Sequence, residues 1–205
     1  TFLLVILSAQ KTKSMKRTII VSIMIISSTI LFPSFKMISI EHNFPGKTNS
    51  TFLITDGKVG EVEINMDVNK LKNIFPEEQL KVKKVESDGD EYALYKIMDS
   101  DLKTLAIEIE SLCADICLVS RINIISPKYK TIDGIGVGST FAEIRKNYTM
   151  KNIVGGEDNN YMVYVKEYRD IAFIVQSAGK KPKFGKPYEA SEILNTDVVK
   201  QIFIF

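Results

Sequence analysis

Laid over one another, residues 64–75 (INMDVNKLKNIF) and 137–148 (VGSTFAEIRKNY) agree at the positions that matter for a helix. Val68, Leu71 and Phe75 coincide with Phe141, Ile144 and Tyr148, each set spaced i, i+3, i+7 along one helical stripe. Asp67 coincides with Thr140, and both residue types cap helix N-termini by accepting from the first free amides. The correspondence continues downstream. YALYKIM (92–98) matches YMVYVKE (161–167), TLAIEIES (104–111) matches DIAFIVQS (170–177), and VSRINII (119–125) matches VKQIFIF (199–205). Leu105, Ile107 and Ile109 alternate with polar residues, the period of a half-buried strand. SDGDE (87–91) and GGEDNN (155–160) supply turn residues ahead of the first matched strand in each set. The pattern predicts an α+β fold of two tandem helix-then-three-strand units, 51–126 and 131–205, with antiparallel sheet. Helices this short do not stand alone in water, so each packs on its own sheet. Ahead of the first unit, TFLITDGKVGEVEIN (51–65) reads as a hairpin turning at Asp56–Gly57.

The second helix is introduced by Gly134, Gly136 and Gly138, a glycine cluster that suggests either a phosphate-holding loop or a turn. The phosphate-loop pattern needs a Lys before Ser or Thr, and Gly138 stands there instead. Glycines spaced evenly by two also miss the dinucleotide-binding pattern. Thr140 and Glu143 form T-x-x-E, a capping box whose side chains use the helix's first donors and leave little for an anion. The cluster is read as a helix-entry turn made of Gly134, Gly136, Gly138, Thr140 and Glu143.

Outside the repeat the chain divides by composition. Met15 opens a short basic head, Lys16 and Arg17, before the apolar run TIIVSIMIISSTILF (18–32), as in a secretory signal peptide. FPSFKMIS (32–39) holds no A-x-A-like cleavage site, and no lipid-bearing Cys follows the run. Residues 15–35 are therefore a signal peptide or an uncleaved N-terminal anchor. Residues 1–14 read as an upstream or artefactual segment, 36–50 as a linker, and 51–205 as the domain. Export makes a disulfide between Cys113 and Cys117 permissible, provided that ADI (114–116) is a tight loop between strands. On one straight strand the two would stay apart as inert thiols. Two cysteines and one distant His do not make a zinc site.

A net charge of +2 creates no field that would draw nucleic acid or a membrane surface, so the membrane enters only through residues 15–35 if they are retained. The lone histidine, His42, falls in the linker, which removes Ser-His-Asp and Cys-His catalysis. SDGDE lacks the length and ligand spacing of a calcium loop. No catalytic residue, metal or cofactor is predicted. The most functional-looking stretch is the insertion around residues 178–190, where Lys180, Lys181, Lys183 and Lys186 are interleaved with Phe184 and Tyr188. It interrupts the repeat and is broken by Pro182 and Pro187. It reads as a solubilising loop or, as the best functional candidate in the chain, a binding loop for an anionic partner, dispensable for folding.

Through GIGVGSTFAEIRKNY (134–148), and more faintly INMDVNKLKNIF, the chain resembles the β-lactamase-inhibitor-like and outer-membrane assembly lipoprotein (BamE-like) group of exported bacterial domains. Its abundance of Lys, Ile and Asn is also similar to that of uncharacterised exported proteins of AT-rich bacteria. The resemblance implies a sheet face or edge that binds proteins. The resulting expectation is an exported (periplasmic, cell-envelope or extracellular), non-enzymatic protein whose partner is a protein or an envelope component. The alternative is a small carboxylate-dependent hydrolase, or a membrane-anchored ligand sensor using the 178–190 loop.

Overall fold

In the computed structural model, residues 50–87 and 90–205 are described. The upstream segment, the signal or anchor, the linker to residue 49 with His42, and the turn tip 88–89 lie outside the described residues.

Two sheets make up the domain. The larger is antiparallel throughout and ordered β4-β5-β6-β7-β12-β11-β10-β9. Its first half comprises β4 (Leu80–Ser87), β5 (Asp90–Met98), β6 (Leu105–Cys113) and β7 (Cys117–Ile124). Its second half comprises β9 (Met150–Gly155), β10 (Asn160–Val165), β11 (Ile171–Gln176) and β12 (Val198–Ile204). Each half is a four-strand meander, and the two meet along one seam where Ile122, Asn123 and Ile124 of β7 face Ile204, Phe203 and Ile202 of β12. The smaller sheet is ordered β3-β2-β1-β8. There β1 (Leu53–Thr55), β2 (Lys58–Val59) and β3 (Val62–Glu63) form a meander, and β1 pairs in parallel with β8 (Lys130–Thr131).

The core follows from alternation. Ile107 and Ile109, Ile124 and Ile122, Ile202 and Ile204, and Phe173 and Ile171 stand opposite one another across successive strands, with Val163 opposite Phe173 and Tyr161 opposite Val175, all essentially buried on one face. The core is completed by Leu71, Phe141 and Ile144 from the two helices and by Ile54, Val59 and Val62 from the small sheet. Burying each large apolar side chain contributes ~1.5–3 kcal/mol relative to leaving it in water. This shared face is the main cohesive element.

The α+β expectation of two helix-then-three-strand units is corrected by this architecture. The fold is predominantly β, and each half contributes four strands to one continuous sheet. The α-helices among the described residues are α1 (Leu71–Ile74), a single turn, and α2 (Phe141–Asn147), seven residues long. In the first half, Asp67 accepts from the Asn69 amide to cap a 3-10 turn, Val68–Lys70, that runs into α1. Pro76 disfavours a helical Phe75, which is extended at φ −116° and ψ 139°, so the helix stops. The unforeseen strands of the large sheet are its two edges, and β8 of the small sheet is unforeseen as well. Lysines at 81, 83 and 84 obscure the alternation of β4, and Lys151 and Asn152 that of β9. An edge strand with little buried surface needs no clean alternation.

The two helix entries share one backbone geometry. Asn65 donates its N–H to the Val119 carbonyl, and the Val119 N–H donates to the Met66 carbonyl. Likewise Gly138 donates to the Val199 carbonyl, and Val199 to the Ser139 carbonyl. Asn65 and Gly138 occupy the left-handed region, at φ 66° and 87°. Glycine enters that region without steric cost, and asparagine is among the few other residues that tolerate it.

Candidate functional site

The face of the large sheet that turns away from the core carries long polar side chains between apolar ones. Across β7, β12, β11 and β10 the outward positions are Arg121 and Asn123, Gln201 and Phe203, Ala172 and Ile174, and Asn160, Met162 and Tyr164. Part of this face is hollowed into a trough of about 350 Å³. Ile174, Met162, Gln201 and Phe203 floor it, Arg121 stands at one end, and Asn160 with Gly156, Glu157, Asp158 and Phe184 stands at the other. Arg121 and Asn160 lie on strands three spacings apart, so the trough crosses the sheet over roughly 14 Å.

Both ends hold unsatisfied hydrogen-bonding capacity. Arg121 pairs with Glu110 on β6, and its guanidinium carbon sits 5.3 Å from the Phe203 ring centroid. Its Nε is buried without a partner. Asn160 is 7% exposed, and its side-chain oxygen has no partner either. The backbone around Asn160 is tied into the β9–β10 turn. Its N–H donates to the Glu157 carbonyl (3.0 Å), and its carbonyl accepts from the Gly156 N–H (2.7 Å). A buried polar group left without a partner costs ~1–3 kcal/mol. Sequence reasoning passed over Arg121, Asn160, Gln201 and Phe203. The available signal was Arg121 itself, the one charge in the strand LVSRINI, at an outward position.

The insertion supplies the exposed rim of the trough. Phe184 is 74% exposed and overlooks it. The rest of the segment lies along β9. Gly155 donates its N–H to the Lys186 carbonyl (2.8 Å), Gly185 donates to the Gly155 carbonyl (2.8 Å), and Tyr188 donates to the Ile153 carbonyl (2.9 Å). A Cβ on Gly155 would run into the Lys183 carbonyl, so the close approach depends on that glycine. Tyr188 packs edge-on against Tyr161, with centroids 5.2 Å apart, and its hydroxyl accepts from the Lys183 N–H (2.8 Å). Lys186 Nζ stands 4.9 Å above the Tyr188 ring, while Lys180, Lys181 and Lys183 face solvent. The six residues singled out in this loop therefore separate. Phe184 borders the trough, Tyr188 is a packing residue, and the lysines form a basic fringe.

At the helix entry, Thr140 and Glu143 make a reciprocal capping box. The Thr140 N–H and hydroxyl donate to the Glu143 carboxylate (2.6 and 2.9 Å), and the Glu143 N–H donates to the Thr140 hydroxyl (3.3 Å). These bonds hold the Glu143 carboxyl below its ordinary range. The neighbouring amides are engaged as well. Gly136 donates to the Ser139 hydroxyl, Ser139 to the Gly136 carbonyl, Phe141 to the Asp197 carbonyl, and Ala142 to the Asn195 carbonyl. With these donors taken, the turn has little to offer an anion. A Cβ at Gly136 would strike the Tyr129 carbonyl, while Gly134 and Gly138 are in open space.

Cys113 and Cys117 are joined by a disulfide across the β6–β7 hairpin, where they are a register pair. Leu112 and Ile116 are exposed beside them. A second cavity, of about 260 Å³, lies between the small sheet and β5–β6 and is lined by Asp99, Lys128 and Tyr129 among others. The Lys128 ammonium hydrogen-bonded to Asp99 holds that carboxyl below its usual range, and burial pushes Tyr129 up to about 12. Among the described residues the carboxyls with displaced pKa values, Asp99, Asp101, Glu143 and Glu167, are all displaced downward, opposite to what a general acid needs.

No known family's sequence profile matches the chain. No curated protein matches it either. Among solved structures, the fold is similar to that of the uncharacterised protein yfeY from Escherichia coli, with a TM-score of 0.57 and 15% identity, over 74% of this chain and 98% of that one. That likeness concerns the fold alone.

Proposed function

We propose that this is an exported, non-enzymatic binding protein that holds a partner protein or an envelope component on the outward face of its large sheet. The observation that carries this reading is the trough. Its floor, in which Gln201 stands among Ile174, Met162 and Phe203, is flanked by hydrogen-bonding groups without partners and by the exposed Phe184 ring. Binding sites commonly combine an apolar surface with a few convergent polar groups in this way. The basic head and apolar run at 15–35 support export, and a disulfide is compatible with an oxidising compartment. Among the described residues no helix is long and apolar enough to cross a membrane. Downward-displaced carboxyls support a carboxylate hydrolase poorly.

The test has two parts. Expressed from Met15 with a C-terminal tag, the protein should reach the envelope or medium. The purified domain should then retain a component of envelope extract that Arg121→Ala and Phe203→Ser variants, still folded by circular dichroism, do not retain. Cytoplasmic retention would refute export, and equal capture by wild type and both variants would refute the trough.

A further inference from the structure

The chain treats the two edges of its large sheet differently. The β9 edge is bonded to residues 185–188 of its own chain. The β4 edge has β5 on one side and, among the described residues, no strand on the other. Eight residues long, it runs roughly 27 Å with alternate N–H and C=O groups pointing outward, the arrangement to which an extended chain adds as a further strand.

The side chains along this edge are selective. Lys81 lies across from Lys96 and Lys83 across from Leu94, so both lysines share the outward face. On the core-side face Val82, 52% exposed, is paired with Tyr95, and Leu80 is paired with Ile97. The nearby carboxylate of Glu108 is already engaged by Lys96 (3.5 Å). Edge lysines are a recognised defence against pairing with like strands: a second copy of β4 would bring lysine beside lysine. They present no barrier to an acidic strand. Over residues 80–83, lysines on one face and apolar side chains on the other define a period of two, which ends where Lys84, across from Ala93, falls on the Leu80–Val82 face and Val85, across from Tyr92, on the lysine face. We propose that the Leu80–Lys83 stretch of β4 is a docking edge for an extended segment in which acidic and apolar residues alternate. The acids would lie over Lys81 and Lys83, and the apolar side chains would continue the Leu80–Val82 row.

This inference goes beyond the reading of the trough, which sits on β7 to β10 towards the opposite end of the sheet, and its test is separate. Fluorescently labelled octapeptides would be titrated onto the whole domain: one alternating Glu and Val, one with the same residues in two blocks, and one alternating Glu and Pro. The alternating Glu–Val peptide should bind roughly tenfold more tightly than either control, as two cross-strand charge pairs acting together with the continued apolar row imply. Hydrogen exchange should slow along 80–87 and remain unchanged at the trough. A Lys81→Glu, Lys83→Glu protein should lose that peptide and gain an alternating Lys–Val one. If the block or Glu–Pro peptide binds equally well, the attraction is only electrostatic and the proposal falls. It falls equally if protection appears on β9 to β12 instead, or if no peptide binds at about 1 mM.

Discussion

Tyr188→Ala should destabilise the domain by about 2–3 kcal/mol, although this tyrosine lies in a lysine-rich, proline-broken insertion. Its ring meets Tyr161 edge-on at 5.2 Å, an arrangement that contributes ~0.5–1.5 kcal/mol beyond area burial. Its hydroxyl holds the Lys183 amide, a bond contributing ~0.5–1.5 kcal/mol net. Removing a fully buried aromatic ring costs ~3–5 kcal/mol, and Tyr188 is only half-buried, so the total falls below that range. Truncation would also uncover Tyr161, which is 2% exposed. Urea denaturation followed by circular dichroism reads the change as a lower midpoint at unchanged slope. The melting temperature should fall by ~2–4 °C for each kcal/mol at this domain size. Tyr188→Phe should cost only the hydrogen bond, ~1 kcal/mol. Phe184→Ala, at an exposed site, should stay within ~0.5 kcal/mol. A Tyr188→Ala protein within 0.5 kcal/mol of wild type would show that the insertion contributes nothing to the sheet and is the dispensable loop expected from its composition.

Thr140→Ala should cost ~1 kcal/mol in the same assay, and added phosphate should not raise the melting temperature; a phosphate-dependent rise lost in Gly138→Ala would restore the anion reading. Opening the disulfide by Cys113→Ser with Cys117→Ser should cost at most ~2 kcal/mol, because the loop it closes is short, with exchange rates rising only around the β6–β7 hairpin; global unfolding would refute this. Acid should destabilise the fold. The carboxyls of Asp99, Asp101, Glu143 and Glu167 have folded pKa values below their unfolded ones, so their contribution is complete above about pH 4.5 and is lost as pH falls towards about 2, the folded value of Asp101. Urea midpoints between pH 6 and 2.5 should decline with a slope that Asp101→Asn reduces, and high salt should flatten it because Asp101, Glu143 and Glu167 are exposed. A flat profile would contradict the assignment.

Local chemistry was the most legible part of this sequence. Turn and cap residues act through their nearest neighbours, so Asp56–Gly57 and T-x-x-E carry their own geometry. The central strands are also legible, because burial on one face enforces the alternation of Ile107 and Ile109 with Glu108 and Glu110, while IAFIV in β11, buried on both faces, reads as a continuous apolar run. Helix content was overread. An i, i+3, i+7 stripe records which side chains point inward, and a one-turn helix satisfies it as well as a longer one, as Val68 and Leu71 show. The edge strands escaped because Lys81, Lys83 and Lys84 serve solubility as much as pairing. The trough was invisible for a different reason: Arg121, Phe203 and Asn160 are brought together only by strand order, which no local pattern encodes.

The seam between β7 and β12 has a consequence in time. Residues 125–197 separate the two strands, so β7 is complete well before its partner is made. At ~5–20 residues per second, synthesis leaves roughly 4–15 s in which β4–β7 can assemble while the far side of β7 stays bare. During that interval the seam is an adhesive border facing other nascent chains, and neighbouring copies translated from one message offer the same border at high local concentration. Holding the chain unfolded until β12 has been synthesised, as passage through a translocation channel would do, removes the interval. Rapid cytoplasmic overexpression should instead favour inclusion bodies, and slower translation in the presence of a holding chaperone should favour soluble protein.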